Sequence, residues 1–373
     1  MNSFDNINND IDYKFYIYDV SPYSFDELKN GNSFGSDGKL VQKSDFSLYN
    51  ILKSSNYRTI DPEKAKLFII PIDFEKLFFI YKDNLNEYNK ILKELIDKIS
   101  SNKYFNQGIN HLIFTYSFEF SRWCTYSEKL LPDNIINKFE NCIATRYEVW
   151  NQSKFQRFKF PTLNCDGFMW QDKLWEITRK NIIIPTESWI DDSNNIKTYN
   201  YDDWNSRKHL IFFHKRSGGF SYKGANDLRS VLYTNKIFDN KGSIGFSLPY
   251  DEWLNEITNS KFSFVMRGDT PTSHALNNAI SVGSIPVVIS NHIDYVGLPF
   301  IDKNLFNKSI IRIEENFFLN NPEKVLYMLE NIEKEEVMRL INNLNMLQTI
   351  FLYNHPSNII DKMFLKSIEP MLE

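Results

Sequence analysis

Ser260-Lys-Phe-Ser-Phe-Val-Met-Arg267-Gly-Asp-Thr-Pro-Thr-Ser273-His-Ala-Leu-Asn-Asn278-Ala-Ile-Ser-Val-Gly283-Ser-Ile-Pro-Val-Val-Ile289 is the stretch that decides the fold. An apolar run, Phe262 to Val265, reads as a buried strand. It is followed by a turn-rich segment, then by apolar residues at helical spacing through Leu276, Ala279 and Ile280, then by a second buried strand, Ile285 to Ile289. Gly268 permits a tight turn, and Thr272 or Ser273 is able to cap the helix. The exposed N–H groups and positive dipole end of such a helix make an anion site. Arg267 beside it supplies a fork suited to phosphate oxygens.

The same strand–helix alternation extends in both directions. Upstream, Phe15–Tyr18, Leu67–Pro71, His111–Phe114 and Asn181–Ile184 read as strands, and Phe79 to Ile99 as a helix. Asp191 to Arg207 is polar and turn-rich, a linker, after which Leu210–Phe213 is a strand and a helix begins near Asn226. Pro322 to about Tyr353 is helical with a charged, solvent-facing side. This is the pattern of parallel sheets with helices on both faces, and ligands bind such sheets at the carboxyl ends of their strands. The expected division is 1–190 for a first Rossmann-like domain, 191–345 for a second, and 346–373 for a helical tail able to pack back on the first.

Composition narrows the class. With 42% hydrophobic and 24% charged residues the chain is globular, and 373 residues suit two domains at about 150 each. The 43 Lys and Arg against 47 Asp and Glu give a net charge of -4, which argues against nucleic acid as a partner. Cys124, Cys142 and Cys165 lack metal-ligand spacing and point to a reducing compartment. The N-terminus carries no signal-peptide pattern and no apolar run is long enough to span a bilayer, so the expectation is a cytoplasmic protein. Lys215 and Arg216 follow the Phe213 strand, and Arg229 lies just inside the next helix. Several cations converging on one edge would suit a diphosphate.

These residues resemble the exostosin family of glycosyltransferases. The likeness is carried by Tyr250-Asp-Glu-Trp-Leu254, by Ser260 to Gly268, by Ala279-Ile280, and by Gly283 to Ser290 with Leu298-Pro-Phe300. Upstream blocks follow in the family's order: Tyr16-Ile-Tyr-Asp19, Asp61 to Pro71, Asn110 to Phe114, Ile182 to Pro185, Phe213-His-Lys-Arg216 and Asp227-Leu-Arg229. The resemblance covers roughly residues 13 to 350. It implies a GT-B fold, α/β with two Rossmann-like domains facing a central crevice, the second binding a nucleotide-sugar. The implied enzyme is an inverting hexosyl- or pentosyltransferase of polysaccharide biosynthesis that uses a UDP-sugar, a saccharide acceptor and no metal or other cofactor. The only Asp-x-Asp, at Asp10 and Asp12, lies in a polar segment before the first strand.

The expected donor residues are Lys215, Arg216, Arg229, Arg267, Gly268, Asp269, Thr270, Thr272, Ser273, His274 and Asn278. The base that receives the acceptor's proton is expected on the first domain, with Glu119 the first candidate and Asp19 the second. Two positions depart from the family: where it usually has Arg and, three residues later, Glu or Asp, this chain has Ala275 and Asn278. In the family the acidic residue holds the ribose. His274 is a candidate replacement for the missing cation, and His214 stands where a glycine is common. The departures carry a competing expectation, a GT-B-shaped subunit that binds glycan or a partner transferase without catalysis.

Overall fold

The computed structural model describes residues 11–30, 44–81, 83–115, 137–146, 180–190, 196–215, 225–267, 273–291, 293, 298–299 and 303–372. They divide into two compact units, one comprising Thr186–Ile359, the other the described residues before it together with those after it.

The first unit holds β1 (Lys14–Ile17), α1 (Ser44–Ser54), β2 (Ala65–Ile70), α2 (Phe74–Tyr81), α3 (Leu85–Ser100), β3 (His111–Ile113), β4 (Ile143–Arg146) and β5 (Lys180–Ile183). The strands are all parallel, in the order β1-β2-β3-β4-β5. Phe15 pairs with Leu67, Ile69 with Leu112, and Leu112 with Ile143. Near-continuous apolar strands are what a sheet covered on both faces requires. Helix α3 turns Tyr88, Ile91, Leu92, Leu95, Ile96 and Ile99 inward, against Phe68, Ile70, Ile113 and Ala144. Each such burial stabilises the unit by about 1.5–3 kcal/mol. The single helix expected from Phe79 to Ile99 is two helices. Asn84 ends the run because its side chain accepts from the Glu87 N–H and starts α3 afresh.

The second unit contains α4 (Tyr201–Asn205), β6 (His209–Lys215), α5 (Ala225–Thr234), β7 (Gly242–Phe246), α6 (Tyr250–Thr258) and β8 (Ser260–Met266). It continues with α7 (His274–Ser281), β9 (Ile285–Ile289), α8 (Lys303–Ser309), β10 (Ile311–Arg312), α9 (Glu315–Asn320), α10 (Pro322–Glu330) and α11 (Lys334–Phe351). Its sheet is parallel with the order β10-β9-β8-β6-β7. Numbered within the unit this is the 2-1-3-4-5 doubly wound order, whose switch point lies between β6 and β8.

Strand β7 carries little strand signal in the sequence because two of its five residues are glycines. The packing explains the first: a Cβ on Gly242 would lie 1.8 Å from the Ile211 carbonyl oxygen of β6. Strands β4 and β10 are also missed, being short and ending in arginine.

Helix α12 (Ile360–Ile368) returns to the first unit. The Tyr13 hydroxyl donates to the Leu365 carbonyl at 2.6 Å, and Ser55 Oγ to the Asp361 carboxylate at 2.6 Å. No described helix is long and apolar enough to cross a membrane.

Candidate functional site

A doubly wound sheet binds its ligand where the strand order reverses, outside the carboxyl ends of the two central strands. Here those strands are β6, ending at Lys215, and β8, followed directly by Arg267. Helix α5 brings Arg229 to the same place, where its Nη2 donates to the Arg267 carbonyl at 3.1 Å. Widely separated segments thus bring Arg229 and Arg267 together at this edge.

Arg267 does not stand as the open fork that its sequence context suggests. Its Nε donates to both oxygens of Glu315, at 3.0 and 2.9 Å, and the two side chains are only 4% and 7% exposed. Glu315 is the first residue of α9, so its charge also meets the positive end of a helix. Its Oε1 accepts from the Asn291 N–H at 3.1 Å, while the Glu315 N–H donates to Asn291 Oδ1 at 3.0 Å. Arg267 therefore ties the end of β8 to the end of β9 and the start of α9. Its charge is matched inside the protein, which removes most of its pull on a bound anion.

Helix α7 begins beside this clamp. Ser273 caps it, accepting from the Ala275 N–H at 3.3 Å. The side chains expected to face a ligand from α7 turn elsewhere. Asn278 is buried, and its Oδ1 accepts from Ser188 Oγ at 3.0 Å and from the Trp189 N–H at 2.9 Å. Its neighbour Asn277 donates to the Thr186 carbonyl. The amide pair therefore fastens the chain between β5 and α4 onto α7, and the Asn278 side-chain oxygen is engaged there. His274 is half-buried and stacked on the Trp189 ring, with centroids 5.5 Å apart and planes 28° apart. Burial pushes its pKa below the usual histidine value against a hydrogen bond to the Glu187 backbone.

Trp189 itself is a feature that the sequence reading missed. Its N–H is held by Asn278, its carbonyl accepts from the Tyr250 hydroxyl at 3.3 Å, and one ring face rests on His274. It is nonetheless 57% exposed. Tyr250 and Trp253 of α6 extend the aromatic surface.

His214, in β6, turns sideways onto β7. Its Nδ1 lies 2.6 Å from the Phe246 carbonyl, which only accepts, so Nδ1 carries the proton and Nε2 accepts from the Ser243 hydroxyl at 2.9 Å.

On the first sheet, Asp19 is exposed and its Oδ1 accepts from the Ser21 N–H at 3.0 Å, which makes it a turn former. Asp73 is the carboxylate that the edge of this sheet offers instead. It lies three residues beyond β2 and caps α2, its Oδ1 accepting from the Lys76 N–H at 2.9 Å. Among the described residues its Oδ2 has no hydrogen-bond partner. Burial pushes its pKa up, opposed by that N–H and by the Lys76 charge. In the sequence it registers only as a break in an apolar run. At the ends of β3 and β4, the Thr115 N–H donates to Thr145 Oγ1 at 2.9 Å, and the Thr115 hydroxyl donates to the Thr145 carbonyl at 2.8 Å.

Glu119, Arg216, Gly268, Asp269, Thr270 and Thr272 lie outside the described residues, as does the side chain of Lys215.

Two parallel α/β units, the second with Arg229 and Arg267 at the switch point of its sheet, define a Rossmann-type protein. The sequence matches the model of the Exostosin GT47 domain over residues 12–328, and the chain belongs to that family of glycosyltransferases, with the two-unit GT-B class of fold. No curated protein matches it. Among solved structures it is similar to an alpha-glucosyltransferase in complex with UDP-glucose and DNA containing an abasic site. Identity there is 11% over 90% of this chain and 84% of that one, with a TM-score of 0.41. It is also similar to the N-terminal domain of Candida albicans trehalose-6-phosphate phosphatase, at 10% identity, 97% coverage of both chains and a TM-score of 0.39.

Proposed function

We propose that the protein transfers a hexosyl or pentosyl group from a nucleotide-sugar, a UDP-sugar by family likeness, to a saccharide hydroxyl, with inversion and without a metal. The observation that carries this reading is Arg229 seated at the switch point of the second sheet in a chain of the Exostosin GT47 family. In the proposed reaction the bond between the sugar's anomeric carbon and the diphosphate oxygen breaks, and negative charge grows on the leaving group. The capped start of α7 and the cations Arg229, Lys215 and Arg216 stabilise that charge. Arg267, matched by Glu315, holds the edge rigid. The exposed face of Trp189 receives the donor's base, since base–aromatic stacking contributes about 1–3 kcal/mol.

A base on the first unit takes the acceptor's proton as its oxygen attacks. Asp73 leads on the strength of its raised pKa and open Oδ2, ahead of Asp19 and of Glu119.

A thermal-shift series with UDP, GDP and CMP, each repeated in EDTA, tests the donor site. A nucleotide at a hundredfold excess over its Kd adds about 2.7 kcal/mol of stability. UDP is expected to act alone among the three and to keep its effect in EDTA. UDP-sugars then give turnover, and the anomeric proton coupling of the product reports inversion. Failure of every nucleotide at millimolar concentration would remove the donor site from this reading.

A second reading, a GT-B-shaped subunit that binds glycan or a partner enzyme without turnover, is favoured by Ala275 and by the engagement of Asn278 with Ser188 and Trp189. Nucleotide binding without release of sugar would select it.

A further inference from the structure

Three arginines of the described chain are buried: Arg146, Arg207 and Arg267. Two are satisfied from within. Arg207 donates from Nη1 to the Ser260 carbonyl at 2.8 Å and from Nη2 to the Val282 carbonyl at 2.6 Å, and its guanidinium lies over the Tyr199 ring at 5.2 Å. Arg267 has Glu315. Arg146 is different. It is 4% exposed, its Nε donates to Asn181 Oδ1 at 3.0 Å, and Nη1 and Nη2 are buried without a hydrogen-bond partner. Among the described residues it forms no ion pair. Asp45 is the acid whose field reaches it, but Asp45 Oδ1 accepts from the Thr145 hydroxyl at 2.6 Å. Burial pulls the Arg146 pKa down to about 10, so the group keeps its charge at neutral pH.

A buried guanidinium with two idle donors is destabilising, and an apolar side chain of similar volume would serve the fold better. Residues kept at such a cost to stability serve function. The place agrees: Arg146 is the last residue of β4, at the carboxyl edge where parallel sheets bind ligands. Two parallel N–H donors on one plane match two oxygens of a single acid group.

We infer that Arg146 binds an oxyanion, a carboxylate, sulfate or phosphate, carried by the acceptor saccharide. Asn181 orients the fork through Nε, leaving Nη1 and Nη2 for the ligand. The inference rests on the proposed function, in which the first unit takes the acceptor.

The experiment uses the full chain and four probes: sodium glucuronate, glucose 6-sulfate, glucose 6-phosphate and neutral glucose. Binding is read by calorimetry and by thermal unfolding, for the native protein, Arg146→Met and Arg146→Lys. The native protein is expected to bind at least one acidic sugar at least tenfold more tightly than glucose, and the preferred probe names the acid. Arg146→Met is expected to lose that preference and, without ligand, to unfold roughly 2–10 °C higher, because the idle charge is gone. Arg146→Lys keeps the charge but lacks the fork, and is expected to lose most of the preference while folding normally.

Equal binding of acidic and neutral sugars by the native protein would overturn the inference. So would an Arg146→Met protein that unfolds lower or fails to fold together with an Arg146→Lys protein that keeps the full preference. UDP binding, measured on the same samples, reports on the donor site alone. Its loss would sink the transferase reading without touching the acid preference, and the converse holds equally.

Discussion

Replacing Glu315 by Gln tests whether the clamp beneath the second sheet's ligand edge is the structural device described above. The change preserves size and leaves an amide oxygen for one hydrogen bond. It removes the carboxylate that Arg267 meets at 2.9 Å, almost out of water. Breaking a buried pair from one side costs about 3–5 kcal/mol, because the remaining charge stays buried and uncompensated. The contact from the Asn291 N–H to Glu315 Oε1 weakens as well, since a neutral oxygen accepts less strongly than a carboxylate. For a folding unit of this size each kcal/mol moves the midpoint by about 2–4 °C, so Glu315→Gln is expected to melt about 10 °C lower. Differential scanning calorimetry reads this directly. The double variant Arg267→Met with Glu315→Leu, which removes both charges, is expected to recover most of the loss. A drop below about 2 °C in the single variant, or a double variant no better than the single, would show that the pair is no buried clamp. Arg267 would then be solvated and available to a ligand.

Three further outcomes follow from the geometry. His111 is fully buried, with Nε2 3.0 Å from the Tyr18 hydroxyl, and burial lowers its pKa to about 3. Its folded pKa is below its unfolded one, so the unfolded chain takes up the proton first and stability falls as pH drops from 6.5 towards 3. This group alone costs about 2.3 kcal/mol between pH 6.5 and 4.5, and urea titrations of His111→Phe should lack that part of the acid loss. Identical pH profiles for the two proteins would show that the ring is not held neutral. Asp73→Asn keeps a good helix cap, so its melting point should hold while turnover falls by about 10²–10⁴ and the UDP-induced shift persists. Turnover within threefold of native would return the role of base to another carboxylate. Trp189→Ala is expected to weaken UDP binding about tenfold or more, with matching loss of tryptophan quenching, and unchanged affinity would take Trp189 out of the donor site.

The kind of fold and the family were legible in the residues alone. Apolar runs such as Phe262–Val265 and Ile285–Ile289 report strands buried on both faces, and the capping serine at 273 reports a helix start, because these signals depend on neighbours a few residues away. Strand β7 escaped because its glycines answer to the backbone of β6, and α3 kept its own start because Asn84 interrupts an otherwise periodic run. The electrostatics of the site were decided only in three dimensions. Nothing near Arg267 in the chain announces Glu315, 48 residues on, yet that carboxylate turns an open phosphate fork into an internal clamp. Asn278 reads as a weakened ribose ligand until Ser188 and Trp189 are seen to occupy its oxygen. Arg146 looks like the end of an unremarked strand, and only burial without a partner sets it apart from Arg207. Charge, once removed from water, takes its meaning from whatever else is buried beside it, and tertiary packing chooses those neighbours.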